Sequence, residues 1–323
     1  MFKRLLCRTA FAIAASIFAA GASPAAAQDY PSRPLTFVVA FAPGGFADAV
    51  ARLIGNKLGE RLGQNIVIEN RAGGGGNIGA AVVSKAAPDG YTLLVTTTGL
   101  AINETLSKSK GFALDDLEVV AIPAWAPDTL SVNPSSPAKT LAELVVGAKS
   151  KPINYGSPGV GTTGHIVGAY LFKELSKVEA VHVPFQGGAP AVNALLGGHV
   201  DAITGAVTGY AGQLKAGSIR GIAVAAEQRL PQLPDIPTYA EGGFPGIIAS
   251  TWVGIFAPAR TDKAILDKLN GAVNDVVRDP ATQAQFQAMQ TEFRVGDRAD
   301  AGVFFRHDVA QWRKMITSIG LVQ

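Results

Sequence analysis

The architecture of this 323-residue chain can be inferred from Leu35-Thr-Phe-Val-Val-Ala-Phe-Ala-Pro-Gly-Gly45. Its first seven residues are apolar or β-branched, as in a buried strand, and the Pro43–Gly45 sequence then predicts a tight turn. After this turn, apolar residues recur at helical spacing: Val50, Leu53, Ile54 and Leu58. The stretch therefore predicts a strand, a glycine turn and a helix in direct succession, which is one βα unit.

The same alternation continues along the chain. Further strands are predicted at 65–69, 91–95, 153–157, 180–184, 201–205, 221–225 and 252–257. Glycine turns follow two of the strands, at 73–76 and 159–164. Strands that alternate with helices favour βαβ units and mainly parallel sheets, so the chain is assigned to the α/β class.

Two proline-bearing segments interrupt the alternation, at 123–137 and at 230–245. We place the crossings between two domains there. Domain 1 is expected to comprise residues 28–122 together with 250–323, and domain 2 residues 123–249. Two α/β domains joined by two crossings would bring the two leading glycine loops face to face.

The first 27 residues have the pattern of a secretory signal peptide. A basic start precedes an apolar run at 10–22, and Ala25-Ala26-Ala27 stands just before Gln28. This run is shorter than the ~20 residues that a membrane-spanning helix needs. We therefore expect cleavage after Ala27 and a periplasmic protein.

Composition narrows the function further. The signal segment carries three of the 28 basic residues and none of the 25 acidic ones, so the remaining chain has no formal net charge. Without a cluster of Lys, Arg and aromatic residues, no binding to nucleic acid is expected. The single cysteine, Cys7, lies in the signal segment, which leaves the mature chain without a disulfide or a thiolate ligand.

Two segments match the dinucleotide fingerprint G-x-G-x-x-G, at 74–79 and 159–164. Neither is followed about 20 residues later by the Asp or Glu that would bind the ribose, so no nucleotide cofactor is predicted. The four histidines include no pair at metal-ligand spacing, and no Gly-x-Ser-x-Gly or Walker motif occurs. The sequence thus predicts no cofactor, metal or catalytic residue.

The glycine loops at 43–45 and 159–163 nevertheless suit an anion. Glycine allows close approach to the backbone, and the free N–H groups at a helix start carry partial positive charge. Tight turns and ordinary helix capping explain the same residues, and both readings stay open at this point. Asp48, in the first helical turn, suits a capping role better than ligand contact.

Seven motifs in order link the chain to a family: Tyr30-Pro-Ser-Arg-Pro34, Phe41-Ala-Pro-Gly-Gly-Phe-Ala-Asp48, Val67-Ile-Glu-Asn-Arg-Ala-Gly-Gly-Gly-Gly-Asn-Ile-Gly79, Ala87-Pro-Asp-Gly-Tyr-Thr-Leu-Leu94, Asn154-Tyr-Gly-Ser-Pro-Gly159, Val183-Pro-Phe-Gln-Gly-Gly188 and Ala257-Pro258. Together they resemble the Bug-type receptors of tripartite tricarboxylate transporters. The resemblance implies a type II periplasmic-binding-protein fold, with two α/β lobes joined by two crossings and a carboxylate held in the cleft between them. It also implies a monomer that delivers this ligand to membrane transporter subunits.

The resemblance also implies a set of ligand-binding residues. The first loop contributes Ala42, Pro43, Gly44, Gly45 and Asp48, the second loop contributes Ser157, Gly161, Thr162 and Thr163, and Thr97, Gly187, Gly188, Ala189 and Asp201 are weaker candidates. Phe46 is added as a candidate at a position where the chain departs from the family. The family often has a small residue where Pro43 stands, and Pro or Thr where Phe46 and Ala47 stand. Phe46 would narrow the site or stack on the ligand, which favours an aromatic acid slightly over a dicarboxylate, tricarboxylate or amino acid.

Two other functions remain open from the sequence. One is a sensory protein that presents a carboxylate to a membrane kinase, and neighbouring genes for transporter subunits would distinguish the two. The other is an α/β enzyme that acts on a carboxylate or an ester, which turnover of a substrate would reveal.

Overall fold

The computed structural model describes residues 30–321, which contain ten strands and ten α-helices. The strands are β1 (Leu35–Val39), β2 (Ile66–Asn70), β3 (Thr92–Thr97), β4 (Leu117–Val132), β5 (Ile153–Ser157), β6 (Ala180–Pro184), β7 (Ala202–Ala206), β8 (Arg220–Val224), β9 (Ser250–Pro258) and β10 (Glu292–Phe293). The helices are α1 (Phe46–Leu62), α2 (Asn77–Ser84), α3 (Gly99–Leu106), α4 (Leu141–Ala148), α5 (Thr163–Ala169), α6 (Gly188–Leu196), α7 (Ala211–Lys215), α8 (Lys263–Arg278), α9 (Pro280–Ala288) and α10 (Arg298–Ser318). The predicted signal peptide lies outside the described residues.

The long strand β4 joins two groups of strands. It pairs with β9 as far as Pro127, which lies opposite Ser250, and with β7 from Asp128, which lies opposite Ala206. We call β1–β3, β9, β10 and the first half of β4 the first lobe, and β5–β8 and the second half of β4 the second lobe. The resulting strand order is β2-β1-β3-β9-β4-β7-β5-β6, with β8 and β10 also paired to β4.

Each lobe contains the parallel βα units that the sequence predicts. In the first lobe, β1 is parallel to β2 and β3, and in the second lobe β5 is parallel to β6 and β7. The apolar stripe of α1 is buried at Val50, Leu53, Ile54 and Leu58, and β1 is buried along most of its length. The α/β class and the two-lobed arrangement are confirmed.

The expectation that Pro123 and Pro127 interrupt the regular structure is wrong, because β4 runs through both of them. Its pairing with β9 shifts register between Ala121 and Ala124, so Pro123 falls where the ladder needs no N–H group. Pro127 lies at the position where β4 passes from one lobe to the other. The predicted domain limits at 122/123 and 249/250 stay predictions.

The C-terminal helices pack on the first lobe. Helix α10 lies against α3 and β4, where Phe305 makes edge-to-face contacts with Trp252 and Phe256. The Trp252 indole N–H donates to Asp308 on α10 at 2.8 Å. None of the helices between residues 30 and 321 combines the length and apolar character that spanning a bilayer requires.

Candidate ligand site

Two helices begin at glycines that lie against each other across the two lobes. Gly45 is the N-cap of α1 and Gly187 the N-cap of α6, and neither has a side chain to accept from the first N–H groups of its helix. A Cβ atom on Gly45 would lie only 3.3 Å from the backbone N of Gly188. The Ala42 N–H donates to Gln186 O at 2.8 Å and fixes the two loops side by side.

A small cavity lies beside these helix starts. Its lining comprises Phe41, Gly45, Phe46, Ala47, Thr97, Pro158, Thr162, Gly164, Gly188, Gly205, Ala206, Gly209, Tyr210 and Thr251. None of these residues carries a charged side chain. The cavity volume is about 40 Å³, which is room for about three water molecules. In this conformation the cavity therefore has room for about three heavy atoms, the size of one carboxylate group.

The hydroxyl groups of the lining are oriented by the protein itself. Thr162 Oγ1 donates to Gly159 O at 2.8 Å, and the Tyr210 hydroxyl donates to Thr204 O at 3.1 Å. Thr97 Oγ1 accepts from the Gly99 N–H at 3.3 Å. The protons of Thr162 and Tyr210 are thus directed at the protein, whereas the Thr97 hydroxyl only accepts here and keeps its proton for a ligand.

Asp48 holds the first loop from inside. Its carboxylate accepts from the Gly44 N–H at 3.0 Å, from Arg52 at 2.9 and 3.0 Å, and from Asn70 at 2.9 Å. Burial alone would raise the pKa of Asp48, but these hydrogen bonds together with the charge of Arg52 hold the pKa below its usual value. Both oxygens are thus occupied by the protein, as expected for a residue that positions the loop.

A cluster of aromatic rings lies behind the second loop. His165 and His182 stack with ring centroids 4.1 Å apart, and Gly161 N–H donates to His165 Nδ1 at 3.2 Å. Burial lowers the pKa of His165 to about 4 and that of His182 to about 3. Ser157 Oγ lies 2.7 Å from His182 Nε2, but this serine is fully buried and does not line the cavity. The two histidines therefore pack behind the second loop and do not face the cavity.

The two lobes also touch through glycines farther along the cleft. Gly75 has φ +63°, and a Cβ there would lie 1.9 Å from Val160 O. Gly161 has φ +73°, and a Cβ there would lie 1.9 Å from the Asn103 Oδ1 atom. At Gly75 the obstacle is backbone, so only glycine fits there while the lobes are in contact; at Gly161 the obstacle is a side-chain end, and the positive φ favours glycine.

The structure brings most of the predicted residues to one region. Gly45, Phe46, Thr97, Thr162 and Gly188 line the cavity. The other predicted residues of these loops do not line the cavity: Ala42, Pro43, Gly44, Asp48, Ser157, Gly161, Thr163, Gly187 and Ala189.

Asp201 is not brought to the cavity. It precedes β7, at the amino end of that strand, and its carboxylate accepts from the Asn154 N–H at 2.8 Å on the surface. The loops of the site follow the carboxyl ends of the strands, so the length of β7 separates Asp201 from them.

Several lining residues carry no signal in the sequence. Tyr210 follows β7 in a 3₁₀ turn, Thr251 lies in β9, and Phe41 and Pro158 stand next to loops that the sequence does predict. Only proximity to the glycine loops would have suggested Phe41 and Pro158. Tyr210 and Thr251 reach the site through tertiary pairing alone.

Comparison with known proteins places these features in context. The sequence profile described as "Tripartite tricarboxylate transporter family receptor" matches residues 50–321. The periplasmic binding protein BugD is 31% identical, with a TM-score of 0.87 over 91% of this chain and 99% of that one.

Two further solved structures contain ligands. Rpa4515 from R. palustris, solved with adipate, is 33% identical, with a TM-score of 0.87 over 90% of this chain and 99% of that one. MatC from Rhodopseudomonas palustris, solved with bound malate, is 31% identical, with a TM-score of 0.83 over 89% of this chain and 100% of that one.

Proposed function

The chain belongs to the tripartite tricarboxylate transporter receptor family, and we propose that it captures a small carboxylate between its lobes and delivers it to membrane subunits of such a transporter. The observation that carries this proposal is the pair of glycine-capped helix starts, at Gly45 and Gly187, beside a cavity without charged side chains. Each helix start supplies free N–H groups and about half a positive charge.

A carboxylate is the ligand that this arrangement favours. It accepts several N–H bonds at once, and charge-assisted bonds of this kind are about twice as strong as neutral ones. A sugar would find no carboxylate or amide side chain in the lining to accept from its hydroxyls, and a cation would face two positive helix ends. The adipate and malate bound by two relatives belong to the favoured class.

We assign ligand contact to specific groups. The N–H groups of Phe46 and Ala47 and those of Gly188 and Ala189 hold the carboxylate, and the hydroxyl of Thr97 donates to it. Phe46, which is almost fully buried, limits the size of the acid. Asp48 acts through the loop that it fixes and does not contact the ligand.

The remaining parts of the proposal concern the setting. Cleavage after Ala27 releases a periplasmic monomer, and domain 1 (28–122 plus 250–323) and domain 2 (123–249) close on the ligand. The protein performs no chemistry on it, so mass spectrometry should recover the bound acid unchanged.

A thermal-shift screen tests the proposal. Protein that begins at Gln28 is heated with adipate, malate, citrate or benzoate, and with glucose and arginine as non-acid and cationic comparisons. A ligand at a hundredfold excess over its Kd stabilises the folded state by about 2.7 kcal/mol, which is several degrees in Tm for a chain of this size. A shift with glucose or arginine alone, and with none of the acids, would overturn the proposal.

Two valine variants test the location of the site. At Gly45 a side chain meets Gly188 across the cleft, whereas nothing lies within 4 Å of a Cβ on Gly271 in α8. Gly45→Val should abolish the shift produced by the tightest-binding acid, and Gly271→Val should retain it. Gly45 has φ −88°, which other residues adopt without strain, so the variant should remain folded. Unchanged affinity in folded Gly45→Val would place the ligand elsewhere.

A further inference from the structure

Asp128 occupies the point where β4 passes from the first lobe to the second. Its N–H donates to Ala249 O at 3.0 Å, and its carbonyl accepts from the Ala225 N–H at 2.7 Å. The residue is completely buried. Two other chain segments therefore fix the backbone of a buried acid at the junction of the lobes.

The side chain of Asp128 connects this junction to the cavity. Oδ1 accepts from Thr251 Oγ1 at 2.6 Å, and Thr251 lines the cavity. Oδ2 is buried and has no hydrogen-bond partner within residues 30–321. While the carboxylate is ionised, the single proton of the Thr251 hydroxyl is directed at Asp128 and away from the cavity.

The surroundings of Asp128 contain two further titratable side chains. Tyr210 approaches from the turn after β7 and Tyr239 from the segment after β8, and burial and then the charge of Asp128 raise the pKa of each. On the facing strands the neighbours are Thr251 of β9 and Ala206 of β7. No basic side chain between residues 30 and 321 forms an ion pair with Asp128. Burial raises the pKa of Asp128 to about 7, opposed only by the bond from Thr251.

We propose that Asp128 takes up one proton when a carboxylate enters the cavity, and that Thr251 passes this change to the ligand by reversing its hydrogen bond. Protonated Asp128 donates to Thr251 Oγ1, which frees the threonine proton for an oxygen of the bound acid. The proton comes from solvent and is released again with the ligand. This inference rests on the proposed function, since it assumes a carboxylate in the cavity.

Two physical effects drive the uptake in the same direction. Two negative charges that share a buried site raise the pKa of the protonatable one. A hydroxyl that donates to a carboxylate also binds it better than one that offers only lone pairs. Asp128 is thus a positioning residue that makes carboxylate affinity dependent on pH.

The test is calorimetry of the mature protein with the tightest-binding acid of the panel above. Titrations at pH 8 in buffers of different ionisation enthalpy should show uptake of about one proton per ligand, and affinity should fall on the order of tenfold between pH 7 and pH 8.5. Adipate, malate and benzoate are fully ionised over this pH range. Citrate is not, so it is omitted from this experiment. Uptake of no proton by the wild type would overturn the inference.

Asp128→Asn tests whether Asp128 is the group that takes up the proton, because the amide is neutral and donates to Thr251 at every pH. Its affinity should be independent of pH and its proton uptake absent. Asp308→Asn is the matched control: Asp308 also has a pKa raised by burial, but it accepts from Trp252 and Trp312 outside the cavity. Asp308→Asn should behave as wild type. Proton uptake that persists in folded Asp128→Asn would overturn the assignment.

Thr251→Val tests the hydrogen-bond reversal. At pH 6.5 this variant should bind the acid at least fivefold more weakly than wild type, because the donor is missing. Wild-type affinity in this variant would refute the role of Thr251. Failure of every acid to bind the wild-type protein would instead overturn the proposed function.

Discussion

The contact between Gly75 and Val160 provides a sharp test of whether the lobes must touch for a ligand to bind. Gly75→Ala places a Cβ 1.9 Å from Val160 O, whereas real Cβ atoms keep at least 3.0 Å from their neighbours. The obstacle is a backbone oxygen and cannot rotate away. The lobes therefore have to separate by roughly 1 Å at this point, in addition to a cost of about 1–2 kcal/mol for a non-glycine residue at φ +63°.

Gly74→Ala isolates the lobe contact from this backbone cost. Gly74 has φ +59°, close to that of Gly75, but a Cβ there would be in ordinary contact, 3.4 Å from the Asn77 Cβ. Both variants carry the backbone cost, and Gly75→Ala should lose more stability in thermal unfolding because it also disrupts the contact between the lobes. Titration with the tightest-binding acid should show a loss of affinity of about a hundredfold, or about 2.7 kcal/mol, for Gly75→Ala alone. Affinities within twofold of each other would refute the idea that this contact forms in the bound state.

Three other perturbations follow from the site. Asp48→Asn should reduce the free energy of unfolding by about 1–3 kcal/mol in urea titrations. The pKa of Asp48 is lowered in the folded state, so the stability that its ionised form contributes is present above about pH 4 and is lost as the pH falls through that lowered value. Asp201→Ala should leave acid affinity unchanged in calorimetry, and a tenfold loss would contradict the position at the amino end of β7. Because the pKa values of His165 and His182 are lowered in the folded protein, the unfolded chain binds protons that the folded protein excludes. Wild-type stability should therefore fall as the pH is lowered from about 6.5 to 4. In melting temperatures measured against pH, His182→Gln should make this decrease shallower.

Local pattern was sufficient for much of the fold. The continuous apolar run of β1 and the helical stripe of α1 are each encoded within a few residues, so local pattern predicts them. The sequence did not predict that β4 continues through Pro123 and Pro127, because its pairing partners in β7, β8 and β9 are 70 or more residues away. Pro123 and Pro127 are typical of breaks in regular structure. The strand accommodates them because Pro123 lies where the pairing with β9 shifts register and Pro127 lies where that pairing ends.

The candidate site divides in the same way. The glycine loops were predictable because close backbone approach demands glycine wherever it occurs. Tyr210 and Thr251 are ordinary residues in sequence, and only the folding of distant strands gives them a place at the cavity. For Asp201 the sequence placed a candidate next to a predicted strand, but it did not show which end of that strand faces the site.

The passage of β4 between the lobes also has a mechanical consequence. At the junction, Pro127 is paired with Ser250, and the N–H of Asp128 is bonded to Ala249, so the two crossing segments lie side by side as a ribbon. A hydrogen-bonded ribbon twists and bends easily, but sliding one strand along the other would break every bond between them. The ribbon therefore resists translation of one lobe along the other, which keeps Val160 in register with Gly75.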